Sequence, residues 1–136
     1  MNSKQMKLAR EQLDETLSNF DSLKKLATPP KGWIRAIRNT LGMTGEQLAK
    51  RLGVNQQRIA RLERDEKLGK VTLNTMRNTA DALNCVFVYG IIPRDSLEQT
   101  VINQAEKLAK KRMSRSNQMM RLEKQELSQE EKDKAL

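Results

Sequence analysis

The stretch TGEQLAKRLGVNQQRIARLE, residues 44–63, decides the fold of this chain. Thr44 is a favourable N-cap, and the residues after it place one apolar stripe on a helix. Gly53 ends that helix, and Asn55 can cap the next one. The stretch therefore predicts two short helices joined by a tight turn, and the apolar positions of the first helix are Leu48, Ala49 and Leu52.

The second of these helices carries side chains that suit the major groove of DNA. Ile59 and Leu62 lie on one face at about 100° per residue, which leaves amide and guanidinium groups on the other. Glutamine can pair bidentately with adenine and arginine with guanine, while alanine leaves room for a thymine methyl group. We therefore predict a DNA-reading helix-turn-helix whose base-reading residues are Gln56, Gln57, Ala60 and Arg61.

The alternative is an amphipathic helix pair in which the glutamines and arginines are simply solvated. The small Ala49 stands where two helices must approach closely, and the turn has a suitable length. The charge also favours DNA, because the chain carries a net +9 and residues 32–71 hold nine basic and four acidic side chains. We expect phosphate contacts from four residues: Thr44, Arg64, Lys67 and Lys70.

A second basic block, KLAKKRMSR, lies within residues 96–121, where six basic residues outnumber two acidic ones. Its charge is equally consistent with a DNA contact and with a solvated helix face. The chain from Leu122 onward carries a net negative charge.

The composition excludes several functional classes. There is no histidine and only one cysteine, so the usual zinc sites, histidine acid–base catalysis and an internal disulfide are not expected. Cys85 lies among apolar residues and is expected to be a small buried side chain. With no glycine-rich phosphate loop and no paired carboxylates in a pocket-forming context, we expect no enzyme activity, cofactor or metal. The chain also lacks a membrane-length apolar run and the apolar core of a signal peptide, which predicts a cytoplasmic protein.

The pattern divides the chain into four parts. Residues 1–28 contain an amphipathic helix, predicted over 4–27, and Pro29 and Pro30 end it. Residues 32–84 form the helix-turn-helix domain, in which Thr72 caps a further helix. Residues 96–136 form a long helix capped by Ser96, with a tail whose regularity fades at Ser114.

Residues 85–93 contain CVFVYGII, which is rich in β-branched and aromatic residues and reads as a strand. No other segment resembles a strand, so we predict antiparallel pairing with the same strand of a second subunit. An extended apolar linker packed across the domain is the alternative. The predicted fold is therefore all-α with one short strand, in a homodimer on a palindromic double-stranded operator. The dimer contact is predicted at Val86, Phe87, Val88 and Tyr89.

The segment 34–83 resembles the XRE-type helix-turn-helix domains of the lambdoid phage repressors. The run QQRIARLE, residues 56–63, is similar to a recognition helix in that family at both glutamines, Ile59, Leu62 and Glu63. The resemblance implies a buried ion pair between Arg38 and Glu63. The family often has glutamine at the position of Gly45, where it braces a phosphate and the first recognition glutamine, and this chain lacks that brace for Gln56.

A broader resemblance extends over nearly the whole chain. The chain is similar to the family called mobile mystery protein A in the segments GWIRAIRNTLGMTGEQLAKRLGV, ADALNCVFVYGIIP and QAEKLAKKRM with MMRLEKQ. In that family, the first helix of the helix-turn-helix ordinarily starts with Thr or Ser followed by Gly, as it does here at Thr44 and Gly45. The resemblance implies a genetic neighbour, mobile mystery protein B, which carries a Fic domain. It implies a DNA-binding antitoxin and operon repressor, with a Fic-domain toxin as partner. The alternative is an interaction protein that mainly sequesters the toxin, with DNA binding secondary.

One motif of directly inhibiting Fic antitoxins is missing. Those antitoxins have a helix with Ser or Thr, three residues, Glu, and then Gly or Asn. No glutamate of this chain is followed by Gly or Asn, so we do not expect that motif to plug a Fic active site.

Overall fold

The computed structural model describes residues 1–135 of the chain, with side chains up to residue 130. Contacts divide the chain into two units, one made of Met1–Asp21 and Ile92–Leu136 and the other of Ser22–Ile91. The helices are α1 (Ser3–Ser18), a 3-10 helix (Asp21–Lys25), α2 (Trp33–Thr40), α3 (Gly45–Leu52), α4 (Gln56–Lys67), α5 (Leu73–Ala82) and α6 (Leu97–Ala135).

Side-chain caps begin α3 and α4 where the sequence predicts them. The Thr44 hydroxyl accepts a hydrogen bond from the Gln47 backbone N–H at 3.1 Å, and the Gln47 side chain accepts one from the Thr44 N–H at 2.9 Å. The Asn55 side chain accepts from the Arg58 N–H at 2.8 Å. These bonds satisfy N–H groups that have no partner within a helix, and they fix both helix starts.

The turn between α3 and α4 depends on Gly53. Its φ of 69° lies in the left-handed region, which is accessible to glycine without steric cost. This conformation lets the Val54 N–H donate to the Ala49 carbonyl at 3.0 Å, which satisfies an acceptor at the end of α3. The chain then enters α4 within three residues, as expected of a tight helix-turn-helix turn.

The core of the second unit joins α2, α3, α4 and the end of α5. Ile59 and Leu62 of α4 are buried, which holds one face of that helix against the domain. Burying a side chain of this size contributes about 1.5–3 kcal/mol, so packing fixes α4 more firmly than its caps do. The buried apolar residues are Ile34, Met43, Leu48, Ala49, Ile59, Leu62 and Leu83.

The strand predicted over residues 85–93 is wrong, because the structure contains no strand in the part of the chain that it describes. A strand needs a second strand to pair its N–H and C=O groups, and residues 1–135 offer none. Residues 85–91, at the end of the second unit, instead form an irregular apolar segment, here called the apolar linker. Cys85 and Phe87 are half-buried while Val86 and Val88 are exposed, so the linker packs partly on its own unit.

The N-terminal helix is also shorter than the predicted 4–27. Helix α1 ends at Ser18, and a separate 3-10 helix follows. The Ser18 hydroxyl donates to the Glu15 carbonyl at 2.6 Å, and the Asn19 amide donates to the Thr16 carbonyl at 3.1 Å. These side chains satisfy the last carbonyls of α1 and so replace the hydrogen bonds that would continue it.

Helix α6 is longer and more regular than predicted. It passes through Ser114, where the sequence suggested fraying, and reaches Ala135. No glycine or proline occurs between Pro93 and Ala135, and most residues there are good helix formers. The last residue of the predicted tail, Leu136, lies outside the described residues.

Two side chains cap the start of α6. The predicted cap Ser96 accepts from the Gln99 N–H at 2.9 Å. The Asp14 carboxylate of α1 adds a cap that the sequence did not suggest, because it accepts from the Leu97 N–H at 2.7 Å and the Glu98 N–H at 3.1 Å. A carboxylate also interacts favourably with a helix N-terminus, so Asp14 ties α1 to α6.

Candidate nucleic-acid interface

Helix α4 separates a buried face from an exposed face. Ile59 is 1% exposed and Leu62 is 8% exposed, and both belong to the core. All four residues predicted to read bases are exposed: Gln56, Gln57, Ala60 and Arg61. The buried face fixes the helix on the domain, and the opposite face is open to solvent.

Two shallow depressions group the exposed residues of this helix. Gln56 and Ala60 line the first one, together with Thr44 and Gly45 at the start of α3. The second depression lies further around α4, and its lining is Asn55, Gln57, Arg58, Arg61 and Arg64. The predicted base-reading residues therefore form two neighbouring pairs: Gln56 with Ala60, and Gln57 with Arg61.

Gly45 leaves space at the edge of the first depression. A Cβ atom at this position would lie 3.8 Å from the Gln56 Cγ atom and 3.8 Å from the Ile59 Cγ2 atom, which is ordinary contact. Gly45 is therefore compatible with a larger side chain, and its lack of one leaves Gln56 without a brace from this position.

The four predicted phosphate contacts lie around this face. Thr44 is exposed at the start of α3. Arg64 and Lys67 belong to the last turns of α4. Lys70 follows the helix and lines a depression together with Arg61.

The sequence reasoning missed two further cations. Lys31 and Arg35 line a depression together with Ala60, Arg64 and Lys67. Both side chains are exposed. Lys31 lies two residues before α2, and Arg35 lies in its first turn. Arg35 contributes to the positive net charge of residues 32–71, which was a signal in the sequence. Only the packing of α2 on α4 brings Lys31 and Arg35 to the exposed face of α4. The exposed surface of the motif is consequently basic, which suits phosphate.

The comparison with protein families identifies this part of the chain. Residues 34–86 match the family model described as Helix-turn-helix. The segment is therefore similar in sequence to helix-turn-helix domains, and its α3 and α4 have the arrangement of that motif. The match supports the XRE type of this domain and a DNA-binding transcription regulator as the class of the protein. No curated protein and no solved structure matches the chain significantly.

Arg38 and Glu63 connect α2 to α4 inside the helix-turn-helix domain. The Arg38 Nε atom donates to Glu63 Oε1 at 2.6 Å, and Nη2 donates to Oε2 at 3.2 Å. The Arg38 Nη1 atom also donates to the Met43 carbonyl at 2.9 Å. The two side chains are only 13% and 10% exposed, so a charge left without its partner would be poorly hydrated.

Glu66 makes a second connection between these helices, and the sequence reasoning missed it. Its carboxylate accepts from the Trp33 N–H at 2.7 Å and the Ile34 N–H at 2.9 Å, which caps α2. Gly32 permits this approach because its φ is 87° and because a Cβ there would lie 2.9 Å from Glu66 Oε1. An acidic residue is unfavourable near the C-terminus of its own helix. The position of Glu66 near the end of α4 was therefore a signal that its carboxylate has a partner elsewhere.

The residues predicted to form a dimer contact lie at the end of the helix-turn-helix domain. Val86 is 86% exposed and Val88 is 70% exposed. The Tyr89 ring stacks on Phe87 with centroids 5.8 Å apart and lies 5.5 Å from the Arg77 guanidinium. The linker therefore places its aromatic rings together and leaves two valines in solvent.

The described residues contain no cluster of His, Cys, Asp and Glu side chains that could hold a metal ion. Within the same part of the chain, no helix is both long enough and apolar enough to span a membrane.

Proposed function

We propose that this chain is a sequence-specific DNA-binding repressor whose α4 enters the major groove. The observation that carries the proposal is the exposed face of α4, where Gln57 and Arg61 stand beside Gln56 and Ala60 on a helix fixed by its buried face. These side-chain types match the donor and acceptor patterns of base edges. Thr44, Arg64, Lys67 and Lys70 would hold the phosphates on either side, together with Lys31 and Arg35.

Selection of DNA from a random-sequence library by the full-length chain tests this function. We expect enrichment of one sequence, bound at least about 1000-fold more tightly than random DNA at physiological salt. Binding without sequence enrichment would contradict the proposal, because phosphate contacts alone give affinity that depends on salt and not on sequence.

The proposed repressor acts as a homodimer on a palindromic operator. One recognition helix contacts few base pairs, and helix-turn-helix proteins commonly bind two half-sites about one helical turn apart. The contact that we propose is the apolar surface of the linker, formed by the exposed Val86, Val88 and Tyr89 with the half-buried Phe87. Two such surfaces related by a two-fold axis would cover each other's apolar side chains.

The change Val88→Asp tests this contact in the full-length chain. A charge buried in an apolar interface is costly, so we expect the dimer dissociation constant to rise about tenfold or more and operator affinity to fall with it. Leu41→Asp is the matched control, since Leu41 is also an exposed apolar residue of the same unit. Equal effects of the two changes on sedimentation would exclude the linker as the contact.

We further propose that the operon under this repressor encodes a Fic-domain toxin and that the chain is its antitoxin. The support is the resemblance to mobile mystery protein A in the segments quoted above. The adjacent reading frame should therefore encode a Fic domain, and its growth inhibition in cells should be relieved when this chain is coexpressed. A neighbouring gene of another class, or toxicity unchanged by coexpression, would contradict this proposal.

Toxin sequestration is the second candidate function. The observation in its favour is that Met119 and Leu122 of α6 are 66% and 60% exposed, because methionine-containing apolar surfaces adapt well to partners. Changing both residues to serine should then abolish neutralisation and spare operator binding. The matched control changes Gln118 and Gln125 of the same helix to serine. If neutralisation survives the first change, these two residues are not the toxin contact.

A further inference from the structure

The unit that contains α1 and α6 has no buried core in its described part. No side chain of residues 1–21 or 92–130 is buried, and from Thr100 to Glu130 every α6 residue is exposed. Helix α6 has 39 residues and is therefore about 58 Å long. Arg10 and Asp14 of α1 contact the start of α6, whereas the stretch from Thr100 to Glu130 buries no apolar face of the kind that stabilises helices in proteins.

One face of α6 carries a regular apolar stripe. Met113, Met120 and Leu127 are spaced by seven residues, which is about two helical turns, and they are 66%, 62% and 58% exposed. We call these three residues the α6 stripe. Met119 and Leu122, the proposed toxin contact, point to other sides of the helix at about 100° per residue. The stripe is therefore free to meet a different surface.

The charges of α6 change sign along its length. Residues 107–121 contain six basic residues and no acidic one, whereas residues 122–130 contain three acidic residues and one basic. Two such helices side by side in parallel would place six positive charges against six. In the antiparallel orientation, the basic segment of each helix faces the acidic segment of the other. Electrostatic complementarity favours the second arrangement, and like charges oppose the first.

We propose that α6 binds α6 of a second copy of this chain in an antiparallel pair that crosses near Met120. In this arrangement Met113, seven residues before the crossing point, faces Leu127 of the second copy, seven residues after it. The α6 stripe is buried along the contact.

A second copy fits the stripe better than DNA does. Three of the six basic side chains, Lys107, Lys111 and Arg115, lie on the opposite side of α6 from Met120 at about 100° per residue, and the other three lie at the flanks of the stripe. DNA on that side would leave the stripe in solvent. A second helix covers the stripe and neutralises part of the positive charge at the same time.

Disulfide cross-linking of full-length chains tests the pairing. The native thiol is removed by Cys85→Ser, and Met113→Cys and Leu127→Cys are introduced into separate chains that are then mixed and oxidised. We expect cross-links between position 113 and position 127 to exceed 113–113 and 127–127 cross-links by about tenfold. The control pair is Arg115→Cys with Gln125→Cys, five residues before and after Met120 but on the opposite side of the helix. It should cross-link poorly.

Three results would overturn the proposal. An excess of 113–113 cross-links indicates a parallel pair, and equal yields for the stripe pair and the control pair indicate random collisions. Absence of cross-links in a chain that sediments as a monomer assigns the stripe to a partner of another kind, whether a different protein or DNA.

The unmodified chain provides a second measurement that needs no cysteine variant. If opposite charges hold the pair, raising NaCl from about 0.05 M to about 0.5 M should increase its dissociation constant about fivefold or more, because salt screens exposed charges. An unchanged or tighter association would contradict the antiparallel arrangement. The pairing extends the proposed homodimer, but these measurements do not involve DNA. Loss of α6 cross-links would therefore contradict the α6 pairing, whereas loss of operator binding would contradict the proposed function.

Discussion

Removing one member of the Arg38–Glu63 pair should destabilise the helix-turn-helix domain far more than removing both. In Arg38→Met, Glu63 keeps its charge at a site where its side chain is 10% exposed, and the Met43 carbonyl loses its donor. In Glu63→Met, Arg38 keeps a charge without a counter-ion. Each single change should lower the free energy of unfolding by about 3–5 kcal/mol. The double variant places two flexible apolar side chains together, and its loss should be clearly smaller than the sum of the two.

Urea unfolding followed by Trp33 fluorescence measures this double-mutant cycle. Trp33 is the only tryptophan of the chain and lies in the same unit as the pair, so its signal reports the relevant domain. We expect a coupling energy of about 2 kcal/mol or more. The control is Arg35→Met, which removes an exposed cation from the same helix and should change stability by less than about 0.5 kcal/mol. Additive losses would refute the structural role of the pair.

Three further variants test separate features of the structure. Gly32→Ala places a Cβ atom 2.9 Å from the Glu66 carboxylate at a φ of 87°, and urea unfolding should show a loss of about 1–3 kcal/mol; an unchanged midpoint would contradict the close approach. Asp14→Ala removes the carboxylate that caps α6, and circular dichroism during urea unfolding should show a loss of about 1 kcal/mol in the unit that holds α1 and α6. Lys67→Ala should weaken binding to all DNA sequences alike and reduce the slope of log affinity against log salt by about one unit, whereas a sequence-dependent loss would show that Lys67 reads a base.

The helix-turn-helix could be predicted because its signals are local. Thr44 and Asn55 act as caps within three residues of their own positions, and Gly53 ends α3 through its own left-handed backbone. The burial of Ile59 and Leu62 follows from their spacing in one helix. Interactions between residues that are close in the chain can be predicted without the tertiary structure.

Composition alone could not decide between a strand and the alternative, an extended apolar linker, for residues 85–93. CVFVYGII has the β-branched and aromatic content of a strand, but a strand also requires a partner, and β-propensity depends strongly on context. Phe87 and Tyr89 stack on each other without strand pairing. The prediction failed because a long-range condition was inferred from a local pattern.

The cap that Glu66 provides for α2 could not be predicted for the same reason. Glu66 is near Trp33 in space but far from it in the chain, and no periodic pattern relates the two residues. Asp14 likewise caps α6 from α1. Capping by a distant side chain depends on tertiary packing, whereas capping by Ser96 within its own helix start was predictable.

The affinities of Arg61→Ala for the selected operator and for random DNA, compared as a ratio, test whether the exposed face of α4 reads bases. We predict a loss of about 1–3 kcal/mol on the selected operator, confined to one G·C pair, with little change on random DNA. Arg121→Ala removes the same charge outside the helix-turn-helix domain and should leave the ratio unchanged. Equal weakening of selected and random DNA by Arg61→Ala would contradict the assignment of the exposed face of α4 as the base-reading surface.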